Sequence, residues 1–208
     1  MLAHELTPAQ IVQAEVQHYL RTRAGQSVRR EALERAQAIS PAIWEALLDT
    51  YLEECTEGVT PSHLELIKRL VVIGGISEEQ LEQAQPTVGN AAAIALYRDI
   101  SARGAACHLL GAGAVEHYYS ELAPQIFKAY TEHYGMSAHQ AETYRLHGSM
   151  DRVHADRAFA IAEEAVALHG WTMIEASVRD AFTATSLHYD GMLQAALGRV
   201  TFWDGGNP

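Results

Sequence analysis

Apolar residues recur at three- and four-residue spacing through almost the whole chain, and no window alternates apolar and polar residues in the Val-, Ile-, Thr- and aromatic-rich manner of a strand. The pattern predicts helices. Their starts are legible because Ser or Thr recurs just before Pro, or three residues before Gln, two common ways to accommodate the free N–H groups of a first turn. Thr7-Pro8 with Gln10 predicts a helix to about Arg23 carrying Ile11, Ala14, Val16, Tyr19 and Leu20, and Ser27 starts a short one after it. Ser40-Pro41 opens a helix to about Glu54, and Thr60-Pro61 opens the next, which stops at Gly74-Gly75. Ser77 with Gln80 begins a short segment ahead of Pro86, and an alanine-rich helix runs from about Asn90 to Ser101. A long helix covers Ala105 to His133, with a bend available at Pro124. Ser137 with Gln140 opens another that either breaks near Gly148 or continues to His169, and Trp171 to Leu197 closes the set. Seven or more helices with short connections, and no repeat at solenoid periods, predict an all-α fold: a compact helical bundle forming one domain over residues 1–208.

One helical face carries the wrong kind of residue for a core. In RLHGSMDRVHADRAFA, His147, Asp151 and His154 are offset by four and seven residues, so they lie within an arc of roughly 60°. Ala158, Ile161, Ala162, Ala165 and Leu168 continue that face, while Arg152, Asp156, Glu163 and Glu164 fall opposite. Two imidazoles and a carboxylate are thereby directed into an apolar interior, where polar groups are costly unless satisfied. A bound cation satisfies all three at once; for any one of them alone, a hydrogen bond within the core would serve.

Charge narrows the function further. The formal net charge is −11 with His neutral, and Lys68 and Lys128 are the only lysines, so there is no basic footprint for nucleic acid or an anionic membrane. The expected partners are a small-molecule substrate and a second copy of the chain in a homodimer. Cys55 and Cys107 lack C-x-x-C spacing, which argues against a zinc knuckle or a disulfide framework and for buried thiols. MLAHELTPAQ has no cationic stretch followed by an apolar run, and no segment reaches about 18 apolar residues, so a cytoplasmic location is expected.

A cation on this stripe needs ligands from facing helices, and two places offer them. In HLLGAGAVEHYYSELAP, Glu116 shares a stripe with Leu109, Ala112, Tyr119, Ser120 and Ala123, so its carboxylate points inward, to a metal or to a hydroxyl such as that of Tyr118 or Tyr119. In WEALLDTYLEECTEGVTPSHLELIKRLVVIGG, Trp44, Leu47, Leu48, Tyr51 and Cys55 define an apolar arc. Glu54 falls about 80° from its centre and Glu53 on the far side, which makes Glu54 the inward carboxylate and leaves Glu53 and Glu57 as solvated charges. His63 follows Pro61 in the first turn of the next helix, ahead of Leu66, Ile67 and Leu70. The small residues Gly111, Ala112, Gly113 and Ala114, one to two turns before Glu116, either leave open space beside it or allow close helix packing.

The ordered set Glu54, His63, Glu116, His147, Asp151, His154 resembles that of the haem-oxygenase-like di-iron oxidases and oxygenases, relatives of thiaminase-like and pyrroloquinoline-quinone-synthase-like proteins. His147, Asp151 and His154 resemble the family's late metal-binding helix, and Glu116 lies 31 residues upstream of His147, near the place of its mid-chain bridging Glu. LEECTEGVTPSHLELIKRLVVIGG resembles its early segment, where a Glu ending one helix precedes a polar loop and a His opening the next. The resemblance covers roughly Ala42 to His169 and implies a haem-oxygenase-like bundle binding two Fe(II) ions, with O2 as co-substrate and an external reductant available to it. It further implies that Glu116 bridges the ions, that Glu54 and His63 complete one site with a His of the late helix, and that Asp151 with the other His holds the second. The implied activity is N-oxygenation of a small amine or amino-acid-derived substrate. The alternatives are oxidative C–C cleavage of an amino or fatty acid, formation of an aromatic amine from an internal Tyr, and a metal-free thiaminase-like hydrolase or binding module.

Overall fold

The computed structural model describes residues 5–56 and 61–199. Among the described residues are nine helices and no strand: α1 (Pro8–Ala36), α2 (Pro41–Cys55), α3 (His63–Ile73), α4 (Glu78–Gln83), α5 (Val88–Arg103), α6 (Ala105–Glu132), α7 (Glu142–Ala160), α8 (Ala162–His169) and α9 (Trp171–Ala196). None is long and apolar enough to cross a membrane. Glu57, Gly58 and Thr60 lie outside the described residues.

The capping signals act through the expected bonds. Thr7 and Ser77 form reciprocal capping boxes with Gln10 and Gln80, and the Ser40 hydroxyl accepts from the N–H of Ile43. Several boundaries nevertheless differ from the sequence pattern. α1 runs unbroken through Gly25-Gln26-Ser27, where a second helix was expected; the Ser27 hydroxyl bonds back to the Ala24 carbonyl at 3.0 Å, the habit of a Ser inside a helix. α3 starts at His63 behind an Ser62 cap, later than Thr60-Pro61 suggests. Ser137 does cap Gln140, but only a turn follows, because the Gln140 amide reaches across to the Leu70 carbonyl, and the helix proper begins at Glu142. The break in the late segment falls at Ile161, not near Gly148. Gly148 serves packing instead: a Cβ there would stand 2.9 Å from the Pro124 ring, which lies inside α6. Beyond the break the face rotates, leaving Leu168 exposed although Ala158, Ile161 and Ala165 stay buried.

The most extensive helix pairings are α6 with α7 and α5 with α9, with α1 and α6 both lying against α9. Two apolar clusters result. One joins Ile11, Val16 and Leu20 of α1, Ile67 and Leu70 of α3, Ala123, Ile126 and Tyr130 of α6 and Tyr144 of α7. The other joins Ala32 and Ala36 of α1, Ile43 and Leu47 of α2, Ala105 to Leu110 of α6, and Ala158, Ile161 and Ala165. The long helices α1, α6 and α7 thus pack into one cluster near one end and into the other near the opposite end. Their middle turns lie between the clusters, and these turns carry the polar side chains of the candidate site.

Candidate metal centre

Each candidate ligand projects from a helix segment held by an apolar cluster. Glu54 occupies the last turn of α2 and is 2% exposed, its carboxylate turned inward by the burial of Ile43, Leu47 and Thr50 on the same helix. His63 opens α3, Glu116 lies midway along α6, and His147, Asp151 and His154 line the buried face of α7. The structure brings them together in two groups that share Glu54. In Glu54, His63 and His147, and again in Glu54, Asp151 and His154, one donor atom of each residue lies within 4.8 Å of the others. Glu116 stands beside the second group, with Oε1 3.9 Å from His154 Nδ1. The carboxylate common to the two groups is therefore Glu54, whereas the resemblance assigned the shared position to Glu116.

The imidazoles are held in defined orientations. His147 donates Nδ1–H to the Thr143 carbonyl at 2.7 Å, which turns Nε2 toward Glu54 Oε1 at 3.3 Å. His154 donates Nε2–H to Glu53 at 2.9 Å, which turns Nδ1 toward Glu54 Oε1 and Glu116 Oε1, each 3.9 Å away. Fixing one ring nitrogen with a carbonyl or carboxylate so that the other presents its lone pair is the usual support of a metal-bound His. Glu53 is therefore more than the solvated charge its helical position suggested: it is 40% exposed, pairs with both terminal nitrogens of Arg157 at 2.7 and 2.8 Å, and orients His154.

The fit to a cation is tested by what the atoms lack. Five buried side-chain nitrogens and oxygens have no hydrogen-bond partner among the described residues, and three of them are Glu54 Oε1, His147 Nε2 and His154 Nδ1, converging on one space. Asp151, 5% exposed, makes no hydrogen bond or ion pair with a described residue. Burial, then the Glu116 and Glu54 charges acting against His147, holds its carboxyl well above the ordinary range. Burial raises Glu54 too, but the charges of His63 and Arg29, the His147 ring 3.3 Å away and the hydrogen bond with His63 win, keeping it well below the ordinary range. His147 has burial against it and Glu54 for it, and is raised to about 9. His63, lowered to about 3 by burial and by His147, meets Glu54 Oε2 at 2.9 Å. Three imidazoles and three carboxylates around unsatisfied lone pairs suit divalent transition metals.

Sequence reasoning missed a stripe along α1. Arg29 takes both carboxylates, with Nη1 3.4 Å from Glu54 and Nη2 3.2 Å from Glu116, so Glu116 is satisfied by an arginine and not by Tyr118 or Tyr119. His18 stacks edge-on to His63 with ring centres 5.3 Å apart. Behind it Glu15, fully buried, meets His18 at 3.1 Å and accepts from Tyr144 at 2.7 Å and from Tyr130. The signal was present: Ile11, Glu15, His18, Thr22, Gly25 and Arg29 follow one another at spacings of four and three, one face of a single helix.

A cavity of about 100 Å³ adjoins the centre, where one water needs roughly 10–15 Å³, so it suits a small molecule. His63, Glu116, His147 and Asp151 form its polar wall, and Ala112, Val115, Ala123, Ala181 and Ala184 supply apolar surface. Of the small residues before Glu116, Ala112 opens onto this space, whereas Gly111 and Gly113 serve packing: added Cβ atoms would meet Ala181 at 3.3 Å and Ala158 at 2.3 Å.

The class defined by fold and site is an all-helical bundle with paired histidine–carboxylate groups at its centre. The chain belongs to the family of iron-containing redox enzymes, which it matches over residues 32–189. Its fold is also that of a CADD-like protein of unknown function from Nostoc punctiforme, with a TM-score of 0.72 and 15% identity over 97% of this chain and 86% of the other. A TenA family transcription regulator from a Silicibacter species is similar at TM-score 0.67 and 15% identity, over 92% and 83%. No curated protein matches the sequence.

Proposed function

We propose that the chain is an O2-dependent non-haem di-iron oxygenase that N-oxygenates a small amine or amino-acid-derived substrate. The observation that carries this reading is the convergence of Glu54 Oε1, His147 Nε2 and His154 Nδ1, all buried and without hydrogen-bond partners among the described residues. Glu54, His63 and His147 would hold one ion and Glu54, Asp151 and His154 the other, with Glu116 completing the set. Ferrous iron bound there supplies the electrons that reduce dioxygen. The chain's own part is to hold the imidazoles by Thr143 and Glu53, to balance most of the cationic charge with three carboxylates, and to keep a water-poor space beside Ala112 and Val115 for the substrate.

The apolar wall suits an alkyl chain, which supports oxidative C–C cleavage of an amino or fatty acid as the second reading. A metal-free hydrolase using a cysteine nucleophile has no support from the thiols: Cys107 is fully buried in an apolar cluster, and burial raises Cys55. An internal-tyrosine reaction would find Tyr119 and Tyr144 on the cavity wall but no lysine, since Lys68 pairs with Glu78 and Lys128 is 71% exposed. Anaerobic ferrous titration with elemental analysis tests the proposal, with close to two irons per chain and amine-dependent oxygen uptake expected. Saturation at one ion or none overturns the di-iron reading, and a product that has lost carbon instead of gaining oxygen on nitrogen selects the second one.

A further inference from the structure

We propose that Arg21 anchors a carboxylate, so that the molecule taken by the cavity is a small carboxylic acid held at one end by α1. Arg21 lines the cavity and is partly shielded from solvent. The other shielded arginines are all engaged: Arg29 by Glu54 and Glu116, Arg69 by Glu142, Arg103 by Asp99 and Asp180, and Arg157 by Glu53. Among the described residues Arg21 is the only shielded arginine with no hydrogen bond or ion pair. That is conspicuous in a chain with 26 acidic residues and 15 basic ones, where a structural arginine has carboxylates in excess to choose from. A guanidinium cannot shed its proton to escape burial, and its planar fork matches a carboxylate with two parallel hydrogen bonds.

The surroundings set the rest of the ligand. One turn beyond Arg21, and one turn before Arg29, stands Gly25, where an added Cβ would meet nothing nearer than the Tyr97 ring at 3.9 Å. Gly25 itself lines the cavity between the two arginines without a side chain to fill it, and the body of a ligand fits over it against Ala112, Ala181 and Ala184. Arg21 and Arg29 are about 12 Å apart along the helix axis, so the free end of a short chain points toward Glu54 and Glu116. A single unpaired arginine, with no lysine on the wall, fits a monoanionic carboxylate better than a phosphate. Binding by Arg21 stands by itself; that the far end of the acid is the reacting end rests on the di-iron reading.

The test is calorimetry on the full chain, metal-free and anaerobically loaded with ferrous iron, with hexanoate, hexylamine and inorganic phosphate as probes. Hexanoate should bind in both forms and hexylamine and phosphate should not. Arg21→Gln should weaken hexanoate at least tenfold and Arg21→Lys less, while Arg30→Gln, on the exposed side of α1, should change nothing. Gly25→Leu should also weaken hexanoate, by filling the open surface while leaving Arg21 in place, and circular dichroism reports whether each variant is folded. Equal binding of hexanoate and hexylamine, phosphate binding as tightly as hexanoate, no hexanoate binding, or an unchanged affinity in folded Arg21→Gln overturns the proposal. Iron stoichiometry separates it from the di-iron reading: Arg21-dependent hexanoate binding without iron uptake sustains the anion site and sinks the oxygenase, and two irons with Arg21-independent binding do the reverse.

Discussion

Glu54 Oε1 faces His147 Nε2 and His154 Nδ1, the nitrogens left over once each ring has turned its other one to Thr143 or Glu53, so with both rings neutral lone pairs point at lone pairs. A proton on His147, which is raised to about 9, relieves one of these contacts, a cation would relieve both, and Asp151 is the residue whose substitution tells the two apart. It lies on the same buried face with no partner among the described residues, and its carboxyl is raised well above the ordinary range by burial and by the neighbouring carboxylates. Asp151→Asn should leave the fold intact, since the isostere removes a buried charge that has no partner among the described residues, yet remove about one iron per chain because the amide supplies no charge. Asp156→Asn, on the exposed face of α7, is the control and should keep both. Equal iron content in the two variants, measured by elemental analysis, takes Asp151 out of the centre. At this scale the sequence was informative for α7, where two histidines and an aspartate stand out against alanines. Arg29 and Glu15 were harder to read, because charged residues on a long helix are ordinarily solvated and only the spacing from Ile11 to Arg29 marks their shared face. Glu53 was illegible for a different reason, since its partners His154 and Arg157 come from another helix more than a hundred residues away.

Between elements, the closest fit is that of α6 on α7. An alanine at Gly113 would place its Cβ 2.3 Å from that of Ala158, a clash of two backbone-anchored atoms that no rotamer relieves. Gly113→Ala should cost about 1–3 kcal/mol, a fall in melting temperature of roughly 2–12 °C for a chain of this size. Adding Ala158→Gly to that variant should recover most of the loss, and a double variant no more stable than Gly113→Ala alone would show that the contact is not what limits stability. The same pair explains why helix existence was easier to read than helix ends. Apolar spacing and Ser or Thr caps are local and survive folding, whereas Gly25 and Gly148 look like breaks in the sequence but lie inside helices that use their missing side chains, Gly25 on the cavity wall and Gly148 against the Pro124 ring.

Taken as a whole, the molecule places a charged centre between two apolar clusters, and metal should stabilise all of it through mass action. Ferrous iron at about a hundred times its dissociation constant adds about 2.7 kcal/mol, or roughly 5–11 °C in melting temperature. The gain should be larger at pH 8 than at pH 6. His147, raised to about 9 in the metal-free protein, contributes stability there that is full below its ordinary value of 6.5 and lost as pH rises through 9, and binding a metal at Nε2 requires that same proton to leave. Scanning calorimetry under anaerobic conditions at the two pH values checks this, and a shift that is absent or shrinks with pH contradicts a buried centre that includes His147. Arg29, finally, turns the arrival of metal into an exchange of cations. It holds Glu54 and Glu116 with a charge it cannot discard, so a dication that claimed those carboxylates would have to compete with a guanidinium tethered to α1. The metal-free centre is thus already charge-compensated, and on the proposed reading loading it substitutes one cation for another instead of adding charge to an empty nest of carboxylates.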